Sequence, residues 1–297
     1  MSPKSEKAAK LAKSPVAPVA AEKHEIRPGQ SIELLKELHI LTRDGKLNQD
    51  SRRKLKQVYH LFNFIEPLLK AISADGKAIE LVDHGAGKSY LGFILYDQYF
   101  KALADASRIH GIETRPELVE RTRTLAQQLG FDRMAFHHLS VADSIYSPAL
   151  PAKVDIVTAL HACNTATDDA ITFALAKAAR YVVLVPCCQA EVAAILRAGK
   201  QKALANPLAE LWRYPIHTRE FGSHLTNVLR CLQLEAHGYA VTVTELIGWE
   251  HSMKNELIVA EYQNRPRQKA IARLDALLTE LGLDALRSRF TAGISIT

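Results

Sequence analysis

The sequence predicts an α/β fold: an open, mostly parallel sheet of seven strands, with an antiparallel final strand and a helical N-terminal extension. Three observations carry that reading. Between about 78 and 185, short apolar runs alternate with helical segments, which is the pattern of βα units feeding a parallel sheet. The first of these runs leads straight into Asp83-His-Gly85-Ala-Gly87-Lys-Ser, and the second ends in Glu113. The third observation is at the far end, where 240–247 and 256–262 are strand-like runs with no helical pattern between them, the mark of an antiparallel pair.

The elements follow in order. Residues 1–25 are rich in Lys, Ala and Pro and low in apolar side chains, so they predict a disordered tail. A helical extension is expected over 26–76. Ser31 opens one helical pattern, and Leu55, Val58, Leu61, Phe64, Ile65 and Leu68 recur at helical spacing in a second, with Asp50 or Ser51 able to cap it. The sheet-bearing domain is expected over 77–264. Its strands fall at 78–83, 108–113, 134–139, 154–160 and 181–185, then the terminal pair. Helices are expected over 89–106, from Pro116 to near Gly130, over 168–179, and over 219–237, the last stopped by Gly238. Closing helices fill 265–297.

Composition narrows the function classes. The chain has 297 residues, 47% hydrophobic, and a formal charge of +6. No apolar run reaches the ~18 residues of a membrane span. The N-terminus lacks the apolar core of a secretory signal. With four cysteines and no such signal, a reducing cytoplasmic setting is expected. Basic residues gather in the tail and in Arg52-Arg53-Lys54-Leu-Lys56, where they can neutralise phosphates or simply form a solvated face.

The glycine turn is the chemical centre of the sequence. Glycine lets backbone approach a ligand closely and tolerates positive φ, and an acid at the tip of the next strand can accept both hydroxyls of a ribose. Strand, turn, helix and acid together describe a nucleoside-containing cofactor over the carboxyl ends of parallel strands. A nucleotide triphosphate loop ends in Gly-Lys-Ser, as here, but Val82 stands where its first glycine belongs. A dinucleotide fingerprint needs a small residue where Tyr90 stands, and an acid roughly 20 residues on, nearer than Glu113. An acid-x-Gly-x-Gly loop for S-adenosylmethionine, with Glu113 ending strand two, fits best. A glycine turn that binds nothing is the plain structural alternative.

Open α/β sheets place ligands at strand ends, and two further strand ends are reactive in composition. Strand four runs into His161-Ala-Cys163-Asn-Thr-Ala-Thr-Asp168, and strand five into Pro186-Cys187-Cys188-Gln189. Together with the glycine turn, these motifs resemble a subgroup of the Rossmann-like class I S-adenosylmethionine-dependent methyltransferases. That subgroup includes the tRNA 2′-O-methyltransferases acting on the acceptor stem. The resemblance covers roughly 54–262. Those tRNA enzymes follow Cys-Cys with histidines where this chain has Gln189, and no zinc-binding Cys/His cluster precedes the sheet here.

The resemblance implies that Asp83, Gly85 and Gly87 contact S-adenosylmethionine, that Glu113 holds its ribose, and that Asp143 lies near the adenine. Leu160 belongs to the same cofactor set. His161 and Cys163 would lie beside the methyl group. Methyl transfer to a hydroxyl or amine requires alignment and loss of one proton. His161, with a pKa ordinarily near neutrality, suits that role, and a packed histidine is the alternative. Asp168 would orient His161 or cap the following helix. Pro186, Cys187, Cys188 and Gln189 would line an acceptor pocket. The cysteines can be read as nucleophiles toward a pyrimidine, as metal ligands, or as a small, weakly polar lining; the last is favoured, and no metal is expected. Trp249, Tyr214 and Phe221 are candidates for an aromatic acceptor wall, or ordinary core. RNA leads as the acceptor class, with protein or small molecules as alternatives, and a binding module that keeps the cofactor fold without catalysis as the reading from another class.

Overall fold

The computed structural model describes residues 26–47, 49–160, 162, 164–186, 189–199, 207–246, 256–265 and 267–294. Seven strands, β1 (Glu80–His84), β2 (Arg108–Glu113), β3 (Met134–His138), β4 (Ile156–Ala159), β5 (Tyr181–Leu184), β6 (Tyr239–Glu245) and β7 (Glu256–Tyr262), form one sheet. Their order is β3-β2-β1-β4-β5-β7-β6. The first five are parallel, and β7 runs antiparallel to both β5 and β6. The expected α/β sheet with its antiparallel last strand is what the chain adopts. Strand order reverses between β1 and β4, which opens a crevice above their carboxyl ends.

Helices cover both faces: α1 (Ile32–Glu37), α2 (Gln49–Ser73), α3 (Tyr90–Gln98), α4 (Pro116–Gln128), α5 (Val141–Tyr146), α6 (Ala166–Ala176), α7 (Glu191–Ala198), α8 (Pro215–Ala236), α9 (Gln268–Glu280) and α10 (Arg287–Phe290). Alternation along each strand sorts side chains between two cores. Leu81, Ile109, Ile156 and Val183 join α1–α4 in one cluster, which includes Leu34, Ile65 and Phe93. Val82, Ile112, Val157 and Val182 face the other way, onto Ile171 and Phe173 of α6 and Leu234 of α8. A third cluster joins α7, α8 and the closing helices through Leu196, Leu229, Leu274 and Phe290. Because α1 and α2 share the sheet's own core, the helical extension is packed onto the sheet rather than set apart from it.

Several boundaries differ from the sequence reading. Helix α2 already runs from Gln49, so neither Asp50 nor Ser51 stands at a cap position. Helix α3 ends at Gln98, where Tyr99 (φ −134°) leaves helical geometry, and a 3-10 turn takes Phe100–Ala102. Helix α6 begins at Ala166, two residues before Asp168. Helices α5 and α7 were not anticipated; each is a short element at a strand's carboxyl end, where local periodicity has too few turns to register. The tail 1–25 and Trp249 lie outside the described residues.

Candidate active site

The glycine turn folds back over the end of β2. Gly85 and Gly87 take φ of +63° and +58°, a left-handed conformation that side chains resist. The Ala86 N–H donates to the Ile112 carbonyl at 3.0 Å. The Gly87 N–H donates to Glu113 Oε2 at 2.8 Å. A Cβ on Gly87 would come within 3.7 Å of Arg115 Nη2 and 3.9 Å of Glu113 Oε2, so its absence leaves room beside the acid. Ser89 closes the turn in a left-handed conformation at the start of α3.

Glu113 is buried at the tip of β2 and gathers donors. Oε1 accepts from the N–H groups of Thr114 and Arg115 at 2.9 and 3.0 Å. Arg115 adds its Nε to Oε1 at 3.0 Å and its Nη2 to Oε2 at 3.1 Å. Burial pushes the Glu113 carboxyl up, but the Arg115 side chain and the backbone donors outweigh it and hold it below the usual carboxylate range. The result is a fixed anion beside an open glycine. The Arg115 side chain is 59% exposed, which makes it the partner that a diol can displace. These residues fit the ribose of a nucleoside cofactor.

At the end of β1, Asp83 and His84 point to opposite faces. Asp83 accepts from Thr158 Oγ1 at 2.6 Å, across the β1–β4 pair. Burial pushes its carboxyl up to about 7 despite the lowering hydrogen bond from Thr158. His84 lies against the edge of Phe173, ring centroids 4.4 Å apart, and neither ring nitrogen has a hydrogen-bond partner among the described residues. Burial pushes its pKa down to about 3.

Asp143 sits in the first turn of α5, exposed beyond β3. Ser140 Oγ donates to Asp143 Oδ2 at 2.5 Å and accepts from the Asp143 N–H at 3.1 Å, a reciprocal cap. Leu160 is half-buried against the first core cluster.

Beyond β4, two tethers engage Ala162 and residues 164–168. Thr167 Oγ1 donates to the Ala162 carbonyl at 2.5 Å. Asp168 does not cap α6; Oδ1 accepts from Arg230 Nε at 2.5 Å, and both side chains are buried. Arg230 also donates Nη2 to the Asn164 carbonyl at 2.9 Å. The Asp168–Arg230 pair therefore ties the β4–α6 loop to α8. Arg230 gave no sequence signal, because a single arginine on a helical apolar face reads as a side chain reaching for solvent. His161, Cys163, Cys187 and Cys188 lie outside the described residues.

Beyond β5, Pro186 and Gln189 are buried. Gln189 Nε2 donates to Asn227 Oδ1 at 2.6 Å, and Asn227 Nδ2 donates to Glu256 Oε2 at 2.8 Å. A cleft of about 320 Å³ opens beside these loop ends, with Asn164, Asp168, Gln189 and Arg230 in its lining. The two aromatic candidates that are described stay away from it. Phe221 stacks on Trp212 in the third core cluster, and Tyr214 stands exposed at the start of α8.

The chain is similar to known methyltransferases over parts of its length. Residues 53–195 match the family described as "Methyltransferase domain". A ribosomal RNA small subunit methyltransferase G of Streptococcus sanguinis is 26% identical over 116 residues, covering 38% of this chain and 46% of that protein. The match thus spans less than half of that relative's length. Similar solved structures include magnesium protoporphyrin IX methyltransferase of Synechocystis PCC 6803 with bound SAH, 14% identical, covering 78% of this chain and 93% of that one at a TM-score of 0.41. Another is the SAH-bound Podospora anserina methyltransferase PaMTH1, 11% identical, covering 78% and 87% at a TM-score of 0.44. Residues 53–195, just under half of the chain, thus match a methyltransferase domain.

Proposed function

We propose that the protein methylates RNA with S-adenosylmethionine as donor. The observation that carries the cofactor half is the Glu113 carboxylate, held anionic beside the open Gly87 at the carboxyl ends of β1 and β2. RNA as acceptor rests on the similarity to the Streptococcus ribosomal RNA methyltransferase and on the basic clusters of the N-terminal third.

When bound, the cofactor supplies a methyl group already activated on a sulfonium sulfur. The chain's own residues bind, align and deprotonate. Glu113 takes the ribose hydroxyls, exchanging the Arg115 side-chain contacts for them, while Gly85 and Gly87 allow close backbone approach and Asp143 serves the adenine side. His161 removes the acceptor's proton. Asp168 acts at one remove: it is bound to Arg230, which also holds the Asn164 carbonyl just before α6. Pro186 to Gln189, with Cys187 and Cys188, line the acceptor side.

Calorimetric titration with S-adenosylhomocysteine, with NAD and ATP as controls, tests the cofactor assignment. Selective binding that Glu113→Ala removes supports it, and preference for NAD or ATP overturns it. Transfer of tritiated methyl to cellular RNA and protein fractions then tests the acceptor. Label in RNA, lost in His161→Ala with cofactor affinity kept, supports the reading; label confined to protein refutes RNA. Phosphate-driven RNA affinity should also fall steeply with salt.

A further inference from the structure

The two edges of the sheet are finished differently. At the β3 edge, outward-facing backbone groups are satisfied within the chain. The Met134 N–H donates to the Phe131 carbonyl at 3.1 Å, and the Phe136 carbonyl accepts from Nε and Nη2 of Arg123 at 3.0 and 2.6 Å. At the other edge, β6 reads Tyr239-Ala-Val-Thr-Val-Thr-Glu245. It holds no lysine and no proline, and its pairing with β7 runs without a bulge from Tyr239–Tyr262 to Glu245–Glu256. Lysine, proline and bulges are the devices that normally keep a free edge from pairing. The Gln263 N–H donates to the Gly238 carbonyl at 3.2 Å, which fixes the alternation. Gly238 and every second residue after it face β7, so Tyr239, Val241, Val243 and Glu245 turn their N–H and C=O groups outward. Among the described residues nothing bonds to these groups, and Val243 is 49% exposed.

The two ends of this open edge carry opposite charge. At one end Glu245 and Glu256 stand directly opposite each other in the ladder, an arrangement in which like charges repel. At the other end the Arg265 N–H donates to the Gly238 carbonyl at 3.1 Å, and Arg267 Nε lies 3.4 Å from where a Cβ on Gly238 would stand. Both arginines are exposed. Their guanidinium groups bond to the side-chain carbonyls of Gln263 and Asn264, at 2.9 and 3.4 Å, and to no carboxylate among the described residues.

We propose that β6 pairs antiparallel with β6 of a second copy of this chain, across a two-fold axis at Thr242, so that two seven-stranded sheets become one. An axis at Thr242 sets Val241 against Val243 of the second copy and Tyr239 against Glu245. All four outward-facing residues then meet outward-facing residues in the close, doubly hydrogen-bonded pairing. The same axis brings Glu245 and Glu256 of each copy to the end where the other copy holds Arg265 and Arg267. Carboxylates meet unpaired guanidinium groups at both ends of the contact. A parallel pairing would instead bring like charge to like, so the charges select the antiparallel sense.

Sedimentation velocity of the full-length protein over a concentration series tests the pairing, and the native chain should form dimers. Glu245→Lys, and separately Arg265→Glu with Arg267→Glu, put like charges at both ends of the contact and should each weaken dimerisation about tenfold or more. Mixed in equal amounts, the two variants should dimerise with each other, because both ends are then of opposite sign; loss of folding in either variant would not give that rescue. Thr242→Cys reads the register. At the axis the two Cα atoms stand about 4.5 Å apart in a non-hydrogen-bonded pair, so mild oxidation should link the variant to its own copy under conditions that leave the native chain unlinked. A native protein that stays monomeric up to about 100 μM overturns the proposal. So does a dimer that neither charge variant weakens, that mixing does not restore, or that forms without the Thr242→Cys link, since the contact then lies elsewhere.

Discussion

Asp83 and His84 are neighbours in sequence, and burial drives their protonation in opposite senses with opposite effects on stability. The Asp83 carboxyl is raised from 3.8 to about 7. Between those values the folded chain keeps a proton that the unfolded chain has lost, so stability falls as pH rises. At ~1.4 kcal/mol per pH unit, the loss across the window is about 4 kcal/mol. His84 is lowered from 6.5 to about 3. Between those values the unfolded chain holds the extra proton, so stability rises with pH, by about 5 kcal/mol over the window. From about pH 4 to about pH 6.5 the two slopes nearly cancel in the native protein. Single variants should unmask them. Urea unfolding of Asp83→Asn, compared with the native protein, should show a difference that climbs by ~1.4 kcal/mol per pH unit from about pH 4 to about pH 7. The His84→Phe difference should descend at the same rate up to about pH 6.5. Other titrating groups are common to all three proteins and drop out of the differences. A flat Asp83→Asn difference between pH 4.5 and 6.5 would refute the reasoning, because it would mean that Asp83 is ionised in the fold.

Other predictions test the site and its supports. Glu113→Ala should weaken S-adenosylhomocysteine binding roughly ten- to hundredfold by calorimetry, the scale of lost hydrogen bonds to a charged group. Arg115→Ala removes the contacts that compete for Glu113 and should leave that affinity unchanged or tighter; a large loss would mean that Arg115 itself holds the ligand. Asp168→Asn strips the buried Arg230 of its counter-charge and should cost about 3–5 kcal/mol in urea unfolding, whereas the apolar pair Asp168→Leu with Arg230→Met should recover much of it. Gly222→Ala would put a Cβ 2.7 Å from Ala193 backbone and side-chain atoms, so α7 and α8 must separate, at about 1–3 kcal/mol by the same measurement.

Much of the fold was legible along the chain because its signals are local. Arg108–Glu113 and Glu256–Tyr262 are strands at the bounds their sequence predicts. The opening of α4 at Pro116 and the turn at Gly130, φ +66°, were equally readable, since proline and glycine restrict or free φ wherever they stand. Short helices at strand ends escaped, because one or two turns carry no periodicity. Asp50 and Ser51 misled because a good capping residue also sits tolerably inside a helix.

The sequence by itself determined the α/β class, the antiparallel end of the sheet, the glycine turn and the acid at the tip of strand two. Each depends on residues within a few positions of one another, where sterics and two-residue alternation act directly. Only the tertiary structure decided what the polar groups around the turn do. Thr158 keeps Asp83 company from another strand. Arg230, 62 positions away, takes the Asp168 carboxylate that the sequence offered to His161 or to a helix cap. Glu256 and Asn227 fix which way the Gln189 amide turns, through a relay that spans residues 189 to 256. Burial and partner identity are set by segments far apart in the chain, and no local pattern encodes which distant atom will arrive.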